Sequence, residues 1–182
     1  MAKKQYVLLD RDGTMIVERE YLADPAGVTL LPRTVEGLRT LQTAGFGLIV
    51  VTNQSGIGRG FFDEAALAAV HARMRELLAG ENIALDGIYY CPHVDDDGCN
   101  CRKPRTGLAE QAGRELGFDA AQTYVVGDKA IDVELAEALG AVSILVRTGY
   151  GAATERKGNC RPDYVADDLS AAADAILRSI GK

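Results

Sequence analysis

Five short apolar runs punctuate the chain, at Tyr6–Leu9, Phe46–Val51, Ile88–Tyr90, Tyr124–Val126 and Val142–Val146. They carry almost no polar positions, the pattern of strands buried on both faces of a sheet. Between and after them, apolar residues recur at helical spacing over Val35–Ala44, Glu64–Leu78, Leu108–Leu116, Val133–Leu139 and Leu169–Ile180. Strands alternating with helices predict an α/β fold: a Rossmann-like, open, mainly parallel sheet with helices on both faces. Tyr164-Val165-Ala166 reads as a short edge strand. Asp63 is suited to cap the second helix, whose Leu67, Val70, Met74 and Leu77/Leu78 form one face, and His71 within it reads as an ordinary helix residue. With no repeat, linker or low-complexity tract, residues 1–182 read as a single domain, and no insertion is large enough for a separate cap domain.

In such a sheet, ligands bind beyond the carboxyl ends of the strands, near a topological switch point. Three strand ends carry polar residues: Asp10-Arg11-Asp12-Gly13-Thr14 after the first, Thr52-Asn53-Gln54-Ser55-Gly56 after the second, and Gly127-Asp128-Lys129-Ala130-Ile131-Asp132 after the fourth. The connection Met15–Leu31 is longer than packing needs, and long ordered loops are often functional.

Composition narrows the function. Apolar residues make up 47% and charged residues 25%, as in ordinary globular proteins. A net charge of −6 argues against a nucleic-acid partner, which needs clustered Lys and Arg. The short basic start, Lys3 and Lys4, precedes an apolar run that stops at Asp10, too short for a signal peptide or a membrane span, so a cytoplasmic enzyme is expected.

Two carboxylates one residue apart at a strand tip repel each other unless a cation or a phosphorylated substrate compensates them, and an aspartate there can attack phosphorus. The plain alternative for Asp10 and Asp12 is an Asx-type turn. Thr52 and its small polar neighbours suit phosphate oxygens. Three thiolates and an imidazole, Cys91, His93, Cys99 and Cys101, lie within eleven positions and compose a closed Cys₃His zinc set, giving a zinc-stabilised loop over 91–101. The rival is a group of reduced thiols beside a solvated Asp triplet. A closed site is structural: it would tie a loop with little core of its own and fix Arg102 and Lys103 just after it. Cys160 stands alone.

Acid pair, Thr tip, lone Lys103 and Gly-Asp-x-x-x-Asp, in that order, resemble the four motifs of the haloacid dehalogenase superfamily. Within it, Asp-Arg-Asp-Gly-Thr, Val-Thr-Asn-Gln-Ser-Gly and Cys-x-His…Cys-x-Cys-Arg-Lys-Pro resemble the D,D-heptose 1,7-bisphosphate phosphatases, with histidinol-phosphate phosphatases sharing much of the pattern. The resemblance spans about Val7 to Arg147. It implies an Mg²⁺-dependent phosphomonoesterase that removes the 7-phosphate of a heptose 1,7-bisphosphate, supplying nucleotide-activated heptose. Asp10 would be the nucleophile, Asp12 the general acid and base, and Thr52 and Lys103 the remaining catalytic residues. Mg²⁺ would be held by Asp10, the Asp12 carbonyl and Asp128. Asp132 would support the metal from outside, with a dipole-favoured helix acid as its alternative.

The same resemblance places Glu18, Arg19, Glu20 and Tyr21 along the substrate cleft, where a bland solvated loop is the alternative. Arg11, Asn53, Gln54, Ser55, Arg102 and Lys129 complete the expected substrate contacts. Arg102 suits a second phosphate or sugar hydroxyls, and Lys129 could be a mere surface charge. Family members often have more residues between the His and the second Cys pair, so the short Val94–Gly98 here implies an altered cleft shape. A monomer acting on a small phosphorylated sugar, without membrane or nucleic-acid partner, is expected. Other-class readings are a phosphate-responsive binding module, phosphorylated on Asp10 without turnover, and a zinc-ribbon adaptor.

Overall fold

The computed structural model describes residues 4–181, so Lys3 of the basic start lies outside the described residues. Six strands form one parallel sheet: β1 (Tyr6–Leu9), β2 (Gly47–Asn53), β3 (Gly87–Cys91), β4 (Tyr124–Gly127), β5 (Val142–Val146) and β6 (Tyr164–Ala166), in the order β3-β2-β1-β4-β5-β6. Six α-helices connect and follow them: α1 (Thr34–Thr43), α2 (Glu64–Gly80), α3 (Gly107–Leu116), α4 (Ala130–Leu139), α5 (Gly151–Lys157) and α6 (Leu169–Ile180). Among the described residues, no helix is long and apolar enough to cross a membrane.

Strand alternation sorts the side chains into two cores. Val7 and Leu9, Leu48 and Val50, and Tyr124 and Val126 face one side, with α1, α2 and α6. Tyr6 and Leu8, Ile49 and Val51, and Val125 face the other, with α3 and α4. Both faces of the central strands are therefore dry, which is why their sequences show no polar alternation. On α2, Leu67, Val70, Met74 and Leu78 are buried as the spacing predicts, and Asp63 Oδ1 accepts from Ala66 N at 2.8 Å as its cap.

The chain steps outward from β1 through β2 and β3, then returns to the opposite side of β1 as β4. That reversal puts the switch point at the β1–β4 crevice, and parallel register aligns Leu9 with both Val50 and Val126. Asp10 N donates to Val126 O at 2.9 Å, fixing the first residue beyond β1 against β4.

Two elements depart from the sequence pattern. The helix α5 has no apolar stripe to announce it; only Gly151 and Thr154 are buried, and Thr154 Oγ1 is tied to Asp128 O at 3.0 Å. The Met15–Leu31 connection is partly core: Met15, Ile16, Leu22 and Val28 are buried, and Ile16 bridges both Asp12 and Leu30.

α1 crosses α6 closely at Gly37, where a Cβ would meet Leu169 O at 2.5 Å and Ser170 N at 2.8 Å. Alanine gains about 1 kcal/mol in helix propensity, but overpacking against backbone that cannot rotate away costs up to about 3 kcal/mol. Gly37→Ala should therefore lower stability by about 2 kcal/mol in urea titration, with kcat unchanged because Gly37 does not line the cleft. A stabilised variant would contradict this packing.

Candidate active site

The β1 and β4 tips and the segment before α3 meet around one lysine. Lys103 Nζ donates to Asp10 Oδ1 at 2.8 Å and to Asp132 Oδ1 at 2.7 Å, all three side chains being buried. Asp132 Oδ2 also accepts from Lys129 N at 3.1 Å at the start of α4. The acid is thus both a helix cap and a lysine anchor, and each of its oxygens is used. Asp128 lies in a cradle of Gly13 and Gly149, where a Cβ on either would stand 2.2 Å from Asp128 Oδ2; both glycines also have positive φ, +80° and +54°. Its Oδ2 accepts from Tyr150 N at 2.7 Å, whereas its buried Oδ1 has no hydrogen-bond partner.

Asp12 is held differently from its neighbour. Arg11 Nε donates to Asp12 Oδ2 and Arg11 Nη2 to Asp12 Oδ1, both at 3.0 Å, and Gln54 Nε2 donates to Asp12 Oδ2 at 2.9 Å. Arg11 Nη2 also reaches Gln54 Oε1 at 3.0 Å, and Gln54 Nε2 reaches Thr52 Oγ1 at 2.8 Å. Behind them Arg11 Nη1 lies 3.1 Å from His71 Nε2 on α2. With 1% of its surface exposed, Arg11 has spent its charge on this network. It lies at the cleft floor, where it and Gln54 both line the cleft and hold the Asp12 carboxyl.

Asn53, at the end of β2, docks the lysine segment. Its Nδ2 donates to Lys103 O at 3.1 Å and its Oδ1 accepts from Lys103 N at 3.0 Å, which leaves the second Nδ2 hydrogen as a donor beside the cleft. The same segment is tied from the other side by Cys91, His93, Cys99 and Cys101, whose ligand atoms lie within 4.8 Å of one another. His93 Nδ1 is 3.1 Å from Cys101 Sγ, and Cys91 Sγ is 3.1 Å from Cys101 Sγ and 3.6 Å from Cys99 Sγ, with no disulfide among them. Arg102 leaves this loop with Nε on Asp95 and Nη1 on His93 O.

Above lies a cleft of about 400 Å³. Glu18, Glu20 and Tyr21 form one wall, Thr52 to Gly56 another, and Arg102, Lys103 and Lys129 bring positive charge. Arg19 turns away, its Nε donating to Gly27 O at 2.9 Å. Lys129 Nζ pairs with Glu18 Oε2 at 3.1 Å and lies 5.1 Å from the Tyr150 ring centroid. Tyr150 and Ile131 also line the cleft and were not singled out by any motif. Tyr150 follows the end of β5 at the same sheet edge as the other tips, a signal visible only once that strand is known to be parallel to them.

Burial disfavours the Asp10 carboxylate, yet the Lys103 and Lys129 charges and the Lys103 hydrogen bond outweigh it and hold the group below its ordinary range. Lys103 resists the opposite penalty: burial disfavours its charge, but Asp10 and Asp132 raise it. For Asp128, burial and the Asp10 charge win over Lys129 and push the carboxyl up to about 8.

This arrangement fits two metals. Asp10, Asp128 and Asp132 carboxylates cluster within 4.8 Å, Asp132 already accepts a hydrogen bond at each oxygen, and Asp128 Oδ1 has no hydrogen-bond partner; hard oxygen donors of this kind suit Mg²⁺. Three thiols and an imidazole Nδ1 converging without a disulfide suit Zn²⁺.

The chain's relatives are consistent with one another. A model of HAD-hydrolase-like proteins matches residues 100–172. A D-glycero-beta-D-manno-heptose-1,7-bisphosphate 7-phosphatase of Pseudomonas aeruginosa is 40% identical over 176 residues, covering 96% of this chain and 99% of its own. The Escherichia coli K12 protein of the same name is 38% identical over 180 residues, covering 94% and 93%. The crystal structure of D,D-heptose 1,7-bisphosphate phosphatase from B. bronchiseptica, complexed with magnesium and phosphate, superposes with a TM-score of 0.90 at 35% identity, covering 96% of this chain and 99% of that one.

Two outcomes follow from the metal fits. Because folded Asp128 keeps a proton that the unfolded chain releases near 3.8, the cation-free protein should lose stability as pH rises from about 4 to about 8. Mg²⁺ replaces that proton, so the Tm gain from added Mg²⁺ should be larger at pH 8 than at pH 5.5, and Asp128→Asn should remove it; equal gains at both pH values would contradict the assignment. For the loop, elemental analysis should find one Zn²⁺ per chain in the wild type and in Cys160→Ser, and none in Cys99→Ser. Equal zinc in the two variants would show the cluster to be read wrongly.

Proposed function

The chain belongs to the D,D-heptose 1,7-bisphosphate phosphatase family of the haloacid dehalogenase superfamily, and on that premise we propose that it hydrolyses the 7-phosphate of D-glycero-D-manno-heptose 1,7-bisphosphate through an aspartyl-phosphate on Asp10. The reaction would be a cytoplasmic step supplying nucleotide-activated heptose. The observation that carries the reading is the buried Lys103 bridging Asp10 and Asp132 beside an unpartnered Asp128 oxygen, on the floor of a charged cleft.

Phosphate monoesters resist hydrolysis, so the site must supply a positioned nucleophile and dense positive charge. Lys103 keeps Asp10 ionised and holds it by Oδ1 at the β1 tip, which fixes the direction of attack. The same ammonium would share the charge of the incoming phosphoryl group, with the Thr52 hydroxyl as a second donor to it. Mg²⁺ held by Asp10, the Asp12 carbonyl and Asp128 would neutralise phosphate charge and align the phosphorus with the nucleophile. Asp12, two residues from the nucleophile, would give a proton to the departing sugar oxygen and then take one from the water that cleaves the intermediate. Arg102 and Lys129, which line the cleft, would meet the remainder of an anionic sugar. Zn²⁺ in the 91–101 loop would act on structure alone, holding the segment that delivers Arg102 and Lys103.

Phosphate release measured with both heptose 1,7-bisphosphate anomers and with histidinol phosphate tests the assignment. The heptose substrate should have the highest kcat/KM, and Asp10→Asn should lower kcat by about 10³-fold or more while leaving the thermal transition cooperative. Preference for histidinol phosphate would overturn the substrate, and turnover near wild type in Asp10→Asn would overturn the covalent route.

A further inference from the structure

His71 lies on α2, outside the cleft lining, yet it is joined to the acid at the centre of the site through one buried guanidinium. Arg11 has five N–H donors, and three of its hydrogen-bond directions are fixed by Asp12 and Gln54. The remaining nitrogen, Nη1, meets His71 Nε2 at 3.1 Å. A guanidinium cannot accept, so Nε2 must be the unprotonated acceptor and the ring must be neutral, its proton on Nδ1. Its surroundings enforce that form: burial and the charges of Arg11 and Arg75 push the imidazole down to about 3. Alone, Asp12 could swing about two side-chain torsions. The planar fork of Arg11 engages both of its oxygens, and Gln54 adds a third donor, so the fork's orientation sets that of the carboxyl.

We propose that His71 is a positioning residue for the reaction: by accepting a hydrogen bond from Arg11 it fixes the guanidinium that, with Gln54, aims the Asp12 carboxyl toward the leaving oxygen. The inference rests on the phosphatase reading above. In the step concerned, an Asp10 oxygen forms a bond to phosphorus, the bond from phosphorus to the sugar oxygen breaks, and that oxygen takes the proton of Asp12. A misaligned Asp12 slows this step only if the leaving oxygen needs a proton. A sugar alkoxide does; p-nitrophenolate leaves as an anion without one. The leaving group therefore separates loss of aim from general damage, which lowers both reactions alike.

The test compares kcat/KM, which reports steps up to and including release of the alcohol, for heptose 1,7-bisphosphate and p-nitrophenyl phosphate. His71→Leu removes the acceptor and should lower the heptose value about 10- to 100-fold and the p-nitrophenyl value less than about threefold. His71→Gln sets an amide oxygen near the place of Nε2 and should restore both to within about threefold of wild type. His71→Asn, too short to reach Arg11, should behave like Leu and takes its place should the Leu variant fail to fold. Asp12→Asn should show the same selectivity in stronger form. Equal losses on the two substrates, no loss on either, or a Gln variant as impaired as Asn would overturn the positioning role. Failure of the wild-type protein to release phosphate from the heptose, or of Asp12→Asn to discriminate between the substrates, would instead overturn the phosphatase reading on which it rests.

Discussion

A single ammonium group at the crevice between β1 and β4 governs the arrangement of the site. Lys103 is one positive charge among three carboxylates, Asp10, Asp128 and Asp132, whose oxygens come within 4.8 Å. Burying those charges without a partner would cost several kcal/mol each, and removing one member of such a buried pair typically costs about 3–5 kcal/mol. Lys103 satisfies two of the acids, which leaves Asp128 to hold a proton or a cation. In the proposed mechanism a divalent ion beside Asp128 would relieve that imbalance.

Because so much depends on Lys103, the chain holds its backbone from two sides. Asn53 at the end of β2 makes a reciprocal pair with the Lys103 peptide groups, and the Cys91–Cys101 loop ends directly before it. Neither restraint requires a large apolar area, which suits a loop that has little hydrophobic core. Among the described residues the walls of the cleft are loops: Glu18 to Tyr21 after β1, the residues following Thr52, and Tyr150 after β5. Part of the first of these is anchored as core by Met15, Ile16, Leu22 and Val28, which lets a long connection present a defined surface.

The two aspartates of the first motif differ by their partners. Asp10 is held by a lysine that also touches Asp132, whereas Asp12 is gripped by Arg11 and Gln54. In the proposed mechanism a nucleophile must stay ionised and an acid must be aimed, and the two neighbourhoods divide along that line. Arg11 and Gln54 are adjacent in the chain to Asp10 and Asn53, and in space both hold the Asp12 carboxyl.

Much of this was readable one-dimensionally. Strands buried on both faces leave uninterrupted apolar runs, so β1 and β5 follow from local pattern, as do the edge strand β6 and the helix α6, and the order of Asp10, Thr52, Lys103 and Asp128 along the chain carries the family resemblance before any contact is known. The Cys-x-His and Cys-x-Cys pairs are likewise close enough in the chain to suggest their convergence. Folding was needed for everything that depends on distant partners. The helix α5 forms on tertiary hydrogen bonds in place of an apolar stripe, Arg19 bonds to Gly27 and leaves the cleft, and Asn53 turns its amide to Lys103. His71, sixty positions from Arg11, reaches it only because α2 packs against β1's side of the sheet. Periodicity records which face of an element is dry, whereas the direction of a hydrogen bond depends on which donor the rest of the chain brings within about 3 Å.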